Sequence, residues 1–355
     1  MKNWIKLLAI FIITISFSCS KDEESTTISE EFIKAADMSL LPLIESEGTT
    51  FYNTNAVAED ALQTLKKAGC NTIRIRLWHN PSDNSSGFTE VKNFAQRIHN
   101  QGMKVWLSVH YSDTWADPGN QTKPAAWNGL SFSALKTAFE QYTATIVTQI
   151  KPDIFQIGNE INSGFIFPEG NLTTNESQFL SLLASASSVI RANSSTTKIM
   201  LHFAGIDAAS WFFDTTAAID YDYIGLSYYP LWHGTNMNVL QQTLTTLGQT
   251  HTKKVLIAET SYPFTFSWND WTNNSIGSAN QIHPNYPATQ DGQKAFMFQL
   301  KSVVKNSANG LGFCYWGTEW IAFRGTVATN GSPWENQALW DFNNKAVAAV
   351  SVFNE

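Results

Sequence analysis

The sequence predicts a single α/β domain folded as a (β/α)8 (TIM) barrel, and three observations predict it. Eight short β-rich runs alternate with longer stretches of helical period, no Pro/Gly-rich linker divides the chain, and several apolar runs end in polar or acidic residues. Strands separated by helices pair in parallel through right-handed crossovers, and eight such units close naturally into a barrel. The 355 residues, 43% of them hydrophobic and 13% aromatic, suffice for one core of that size.

In chain order, strands are expected at Phe32–Asp37, Thr72–Trp78, Lys104–His110, Ile154–Glu160, Lys198–Phe203, Tyr223–Tyr228, Lys254–Thr260 and Leu311–Trp316. Helices are expected between them at Ala56–Ala68, Thr89–Asn100, Phe132–Thr148, Glu176–Ala192, Met237–Gln249 and Gln290–Lys305. The competing arrangement, an open doubly wound sheet, calls for a glycine-rich phosphate loop after the first strand. Asp37-Met38-Ser39-Leu40-Leu41-Pro42 stands there instead.

The second strand alternates strictly: Ile73, Ile75 and Leu77 share one face, Arg74 and Arg76 the other. In a barrel the apolar set faces the helices and the two guanidiniums point inward. That is costly without carboxylate partners, which an acidic active site supplies. A solvated edge strand is the alternative.

A formal net charge of −7, with no dense Lys/Arg cluster, argues against a nucleic-acid surface. Thirteen Trp suit the flat apolar faces of pyranose rings, although part of any such set is core. Residues 1–18 carry Lys2 and Lys6 and then the apolar run Leu7–Phe17, too short to span a bilayer, and read as a signal peptide. Ser16-Phe17-Ser18-Cys19 resembles a lipoprotein cleavage box without its usual Leu, so Cys19 is the expected acylation site; a plain secreted protein cut before Cys19 is the alternative. Residues 19–31 then form a polar tether, similar to the acidic export tags of Gram-negative surface lipoproteins, ahead of a catalytic barrel over residues 32–355. The expected location is the cell surface or outer membrane of a Gram-negative bacterium, with the lipid as the only membrane contact. Cys70 and Cys314 lie in apolar runs and read as buried thiols, not as a disulfide framework.

Barrel chemistry sits at the C-terminal ends of the strands. The fourth run ends in Asn159-Glu160 and the seventh in Glu259-Thr260, which places two carboxylates on one rim. Retaining glycoside hydrolysis needs one protonated and one ionised carboxyl about 5 Å apart, their pKa values driven apart by burial and by cationic support. Arg74 or Arg76 is suited to keep Glu259 ionised, and Asn159 to grip a sugar 2-OH. Glu169 and Glu319 are the other acids near the rim, but neither ends an apolar strand directly. His110, His202 and His233 fall near the rim on different strands without the paired spacing of a zinc or iron site. No Gly-x-Ser-x-Gly elbow supports esterase chemistry.

With these residues in view, the chain resembles a clan A glycoside hydrolase, and more narrowly the family 53 endo-β-1,4-galactanases. The likeness runs from about Ala35 to Phe342 and is densest at HYSDTWADPGNQTKPAAW (His110–Trp127), QIGNEINSGFIFPEG (Gln156–Gly170), IGLSYYPLWHG (Ile224–Gly234) and IAETSYPFT (Ile257–Thr265). The resemblance implies Glu160 as proton donor and Glu259 as nucleophile. It also implies a substrate cleft lined by Asp37, Arg74, Arg76, His110, Asp113, Trp115, Asn159, Tyr228, His233 and Trp316. Departures are Ala35-Ala36-Asp37 in place of Gly-Ala-Asp, and Gly317-Thr318-Glu319 in place of Glu-Pro-Ala. Some relatives hold calcium through an Asp-x-Asp-x-His loop; here Ser267–Asn274 has a single acid, so calcium is left open, and no cofactor is required. The expected partner is a galactan polysaccharide, cleaved internally at β-1,4 bonds by a monomer. The rivals are another clan A β-glycanase, such as a mannanase or cellulase, and a non-catalytic glycan-binding lipoprotein.

Overall fold

The computed structural model describes residues 30–83 and 85–354, so the expected signal peptide, Cys19 and most of the tether lie outside the described residues. Eight strands, β1 (Ile33–Asp37), β2 (Thr72–Leu77), β3 (Lys104–Val109), β4 (Ile154–Ile157), β5 (Lys198–Ala204), β6 (Tyr223–Ser227), β7 (Lys254–Thr260) and β8 (Gly310–Tyr315), form a closed barrel in sequence order. Every pairing is parallel, including the β1–β8 seam. The helices between them are α1 (Leu41–Ser46), α2 (Ala61–Lys67), α3 (Phe88–Asn100), α4 (Phe132–Ile150), α5 (Glu176–Asn193), α6 (Ala209–Thr215), α7 (Pro230–His233), α8 (Met237–Thr250) and α9 (Gln290–Asn306). Among the described residues, no helix is long and apolar enough to cross a membrane.

Two-residue periodicity sorts the strand side chains into two packed layers. Ile33, Ala35, Trp106, Ile154, Met200, Leu256 and Cys314 fill the barrel interior. Ile73, Ile75, Leu77, Phe155 and Ile257 pack outward with Leu65, Phe94, Phe139 and Phe296 of the helices. Full burial of each such aliphatic or aromatic side chain contributes about 1.5–3 kcal/mol. Gly225 leaves the interior its room, since a Cβ there would sit 2.7 Å from Met200 Sδ and 3.0 Å from Ala258 Cβ. Cys70 and Cys314 are free, buried thiols.

The elements differ from expectation mainly at their ends. α2 starts at Ala61 because the Asp60 side chain accepts from the Gln63 N–H at 3.1 Å and caps the helix there, while Ala56 turns at φ 59°. The short α1, α6 and α7 span too few turns to show a period. β2, β3, β6 and β8 each stop one residue before the expected end, and β4 stops at Ile157. There Gly158 (φ 73°) and Glu160 (φ 47°) enter the left-handed region, which a glutamate occupies only under constraint from its surroundings.

Candidate active site

One irregularity aims the chemistry. β6 and β7 pair Leu226 with Ile257 but Ser227 with Glu259, so Ala258 is an extra residue on β7. Ile257 faces the helices and Ala258 the interior, and strict alternation would turn Glu259 outward. The bulge breaks that alternation and brings its carboxylate over the barrel mouth, where the residue is 6% exposed.

A cavity of about 570 Å³ opens at this face. Asp37, Arg74, Arg76, His110, Trp115, Asn159, Glu160, His233, Glu259 and Trp316 all line it, as do Asp117, Tyr229, Trp232, Trp320 and Trp334. Two expected lining residues stand elsewhere. Asp113 accepts from the Asn80 N–H at 3.0 Å and the Ala125 N–H at 2.8 Å, so it braces the loop after β3. Tyr228 is fully buried and donates to Gly234 O at 2.7 Å. β6 ends at Ser227, and it is Tyr229, two residues on, that reaches the site.

Arg74 organises the floor. Its Nη1 donates to Asp37 Oδ2 at 2.6 Å, and its Nη2 donates to Glu259 Oε1 at 2.7 Å and Asn159 Oδ1 at 2.8 Å. Asp37 and Arg74 are register neighbours on β1 and β2, which makes the pairing a consequence of strand order. Burial disfavours the Arg74 charge, but the Glu259 and Asp37 carboxylates more than compensate and hold it firmly protonated. Arg76 takes a different role: its guanidinium lies 4.4 Å from the Trp78 ring centroid and 4.0 Å from that of Trp115.

The carboxylates are close but differently supported. An oxygen of Glu160, an oxygen of Glu259 and a ring nitrogen of His202 lie within 4.8 Å of one another, the one such acid/His/Cys grouping among the described residues. Both His202 nitrogens bond within the protein, Nδ1 to the Glu160 N–H and Nε2 to Ser227 Oγ. Burial, and then repulsion from Glu259, push the Glu160 carboxyl up to about 8. Burial also raises Glu259, but the Arg74 charge opposes it and the Tyr229 hydroxyl donates to its Oε2 at 3.2 Å. In this pair the proton belongs on Glu160.

Two neutral imidazoles face the cavity. His110 Nδ1 accepts from the Ala116 N–H at 3.1 Å and His233 Nδ1 from the Tyr229 N–H at 3.0 Å, leaving each Nε2–H to donate. Burial lowers both, His233 to about 4 and His110 well below its usual value. The walls are aromatic: Trp232 stacks on Trp334 and Trp115 on Trp320, with Trp316 edge-on to Trp334. Glu319 is not at the cavity; it is buried and accepts from the Leu40 N–H at 2.6 Å. Glu169 pairs with Lys123 at 2.5 Å, bracing the loop after β3 against that after β4.

Asp270, in the loop after β7, and Glu335, in the segment after β8, are both buried and each has one carboxylate oxygen without a hydrogen-bond partner. Glu335 was not anticipated. Their all-oxygen chemistry fits a hard cation, and these two residues would hold it.

Residues 33–353 match glycosyl hydrolase family 53. The chain is similar to the endo-β-1,4-galactanase of Bacillus subtilis (strain 168), at 34% identity over 92% of this chain and 86% of that protein. It is equally similar to the arabinogalactan endo-β-1,4-galactanase of Cellvibrio japonicus (strain Ueda107), at 34% identity over 88% of each. Among solved structures, the GH53 catalytic domain of Ignisphaera aggregans superposes with a TM-score of 0.86 at 36% identity, over 91% of this chain and 95% of that one.

Proposed function

Because the chain belongs to glycosyl hydrolase family 53, we propose that it hydrolyses β-1,4-galactosidic bonds inside galactan and type I arabinogalactan with retention of anomeric configuration. The observation that carries the stereochemistry is the approach of Glu160 and Glu259 to within 4.8 Å. Retaining enzymes hold their carboxyls about 5–5.5 Å apart, whereas inversion needs about 6.5–9.5 Å to admit a water.

Glu259, ionised and aimed by Arg74, attacks the anomeric carbon while Glu160 gives its proton to the departing glycosidic oxygen. The C–O bond to the leaving sugar breaks as the bond to Glu259 forms. Glu160, now a carboxylate, takes a proton from water, and the resulting nucleophile releases the β-product from Glu259. Asn159, His110 and His233 offer donors to sugar hydroxyls, and the Trp walls stack on ring faces.

The test is a parallel assay on linear β-1,4-galactan, β-1,3-galactan, mannan and cellulose. Fast release from β-1,4-galactan, with long oligomers preceding short ones, is the expected result; equal rates on mannan or cellulose would overturn the specificity. Proton NMR of early products is expected to show the β-anomer, and an α-anomer first would overturn retention.

We further propose that residues 1–18 direct export, that acylated Cys19 tethers a monomeric barrel to the membrane, and that residues 19–31 are the spacer. Acyl chains supply about 0.8 kcal/mol per buried CH2. Cys19→Ala is expected to move the protein to the soluble fraction at monomer size, and persistent membrane association would refute the anchor.

A further inference from the structure

We infer that His202 and Ser227 are positioning residues for Glu160: they hold its Oε1 as a hydrogen-bond acceptor and thereby leave the transferable proton on Oε2. The inference rests on Glu160 being the proton donor and adds which of its two oxygens acts and what selects it.

The polarity of the chain of bonds follows from one group that can only donate. The Glu160 backbone N–H points at His202 Nδ1 at 3.2 Å, and the Gln156 amide nitrogen lies 3.0 Å from the same atom. The Gln156 amide is oriented independently, because its Oε1 receives Trp106 Nε1–H at 3.0 Å and Arg74 Nε–H at 3.3 Å. Asn159 Oδ1 also lies 3.2 Å from Nδ1, but Arg74 Nη2 already donates to that oxygen at 2.8 Å. Nδ1 is therefore an acceptor, and the ring proton sits on Nε2. From there it goes to Ser227 Oγ at 2.9 Å. The one serine hydrogen is then free for Glu160 Oε1, at 2.5 Å.

Two further features agree with this direction. His202 is completely buried, and burial together with the Arg74 charge keeps it neutral, so the tautomer does not change as Glu160 titrates. Among the described residues no side chain donates to Glu160 Oε2, which is left for the glycosidic oxygen. Ser227 is also the residue paired with Glu259 across the β6–β7 bulge, so one backbone irregularity positions the nucleophile and the hydroxyl that orients the acid.

The groups around Glu160 that influence its titration are Glu259 on β7, Arg74 on β2 and Asp117 after β3, with Ser227 on β6 as the direct donor; neutral His202 on β5 accepts from the Glu160 backbone N–H. The test uses Ser227→Ala and Ser227→Thr in the full chain, with aryl β-1,4-galactobiosides whose leaving groups span good to poor. A misplaced acid hurts only substrates that need protonation. With a phenol leaving group, Ser227→Ala is expected to lose about 10- to 100-fold in kcat/KM, against less than about threefold with dinitrophenol, since general-acid assistance is worth about 10²–10⁴-fold. Loss of a donor to the carboxylate also moves the alkaline limb of the phenol profile to higher pH. Ser227→Thr, which keeps the hydroxyl, is expected to restore both. Equal losses with the two leaving groups and an unmoved limb would overturn the inference. In the unsubstituted chain, 15N NMR of labelled imidazoles gives an independent reading: His202 is expected neutral with its proton on Nε2 across the pH range of activity, and protonation on Nδ1 would overturn the relay. Glu160→Ala is run alongside; if it retains wild-type rates on the phenol substrate, the acid assignment itself falls, whatever Ser227 does.

Discussion

Arg74 grips Glu259 and Asp37 with separate nitrogens, at 2.7 and 2.6 Å, from a position 2% exposed. Removing the guanidinium leaves two buried carboxylates facing each other without a cation. Arg74→Leu is expected to cost about 3–5 kcal/mol of stability, the usual penalty for breaking a buried pair, and to reduce kcat at least about 10³-fold by protonating or misaiming Glu259. Arg74→Lys keeps the charge but not the fork, and is expected to remain severely impaired. Urea denaturation and steady-state rates measure both; wild-type kcat in Arg74→Leu would remove Arg74 from the mechanism.

Activity is expected to be bell-shaped in pH, with the alkaline limb near 8 where Glu160 loses its proton. The same shift has a thermodynamic signature. An ordinary glutamate in the unfolded chain ionises near 4.5, but the partly buried Glu160 resists until about 8, so its contribution to stability is present below the lower value and is lost as pH rises toward the upper one. Glu160→Gln escapes this loss. Its melting temperature is expected to match wild type near pH 4 and to pull ahead progressively up to about pH 8. A constant difference across that range would contradict the raised pKa.

Tyr228 and Tyr229 are adjacent yet separable. Tyr229→Phe removes the donor to Glu259 Oε2 and is expected to lower kcat about 10- to 100-fold with little change in folding. Tyr228→Phe removes the bond to Gly234 O, at a cost of about 1 kcal/mol, with kcat within about twofold of wild type. The reverse pattern would reassign the two residues.

Glu319 is pushed up to about 8 by burial and then by Asp37, and its Oε2 lacks a hydrogen-bond partner. Glu319→Gln keeps the acceptor for the Leu40 N–H and removes an ionisable group from a dry site. It is expected to melt higher than wild type at pH 8 and equally at pH 4, with kcat/KM on galactan within about threefold. A lower melting point at pH 8 would mean that Glu319 works as an anion.

The barrel was legible because its strands are short, apolar and punctuated. Lys104–Val109 begins at the expected residue, and the alternation around Arg74 and Arg76 correctly separated the outward Ile73 and Ile75 from the charged pair. The finer aim was less legible, since it depends on where alternation fails. Nothing local to Ile257–Thr260 announces that Ala258 is an inserted residue, because a bulge is defined by its partner strand. The family resemblance places Tyr228 in the cleft, and which of two adjacent tyrosines reaches it depends on β6 stopping at Ser227, an end that no local signal fixes. Asp113, which the family resemblance places at the cleft, instead accepts from backbone donors 33 residues before it and 12 after it, separations that cannot be read from spacing. Ser227 and His202 each sit inside an apolar run, and only the folded register brings them together.

The one-residue surplus in β7 also bears on how this active site can change over time. Substitution at Lys254–Ala258 alters packing but leaves the count of residues intact, so position 259 keeps its aim while its neighbours drift. A single-codon insertion in that stretch does the opposite: one more residue reverses the phase beyond the bulge and swings the nucleophile toward the helices, with every original side chain still present. The catalytic geometry is thus shielded from the commonest class of mutation and exposed to a rarer one.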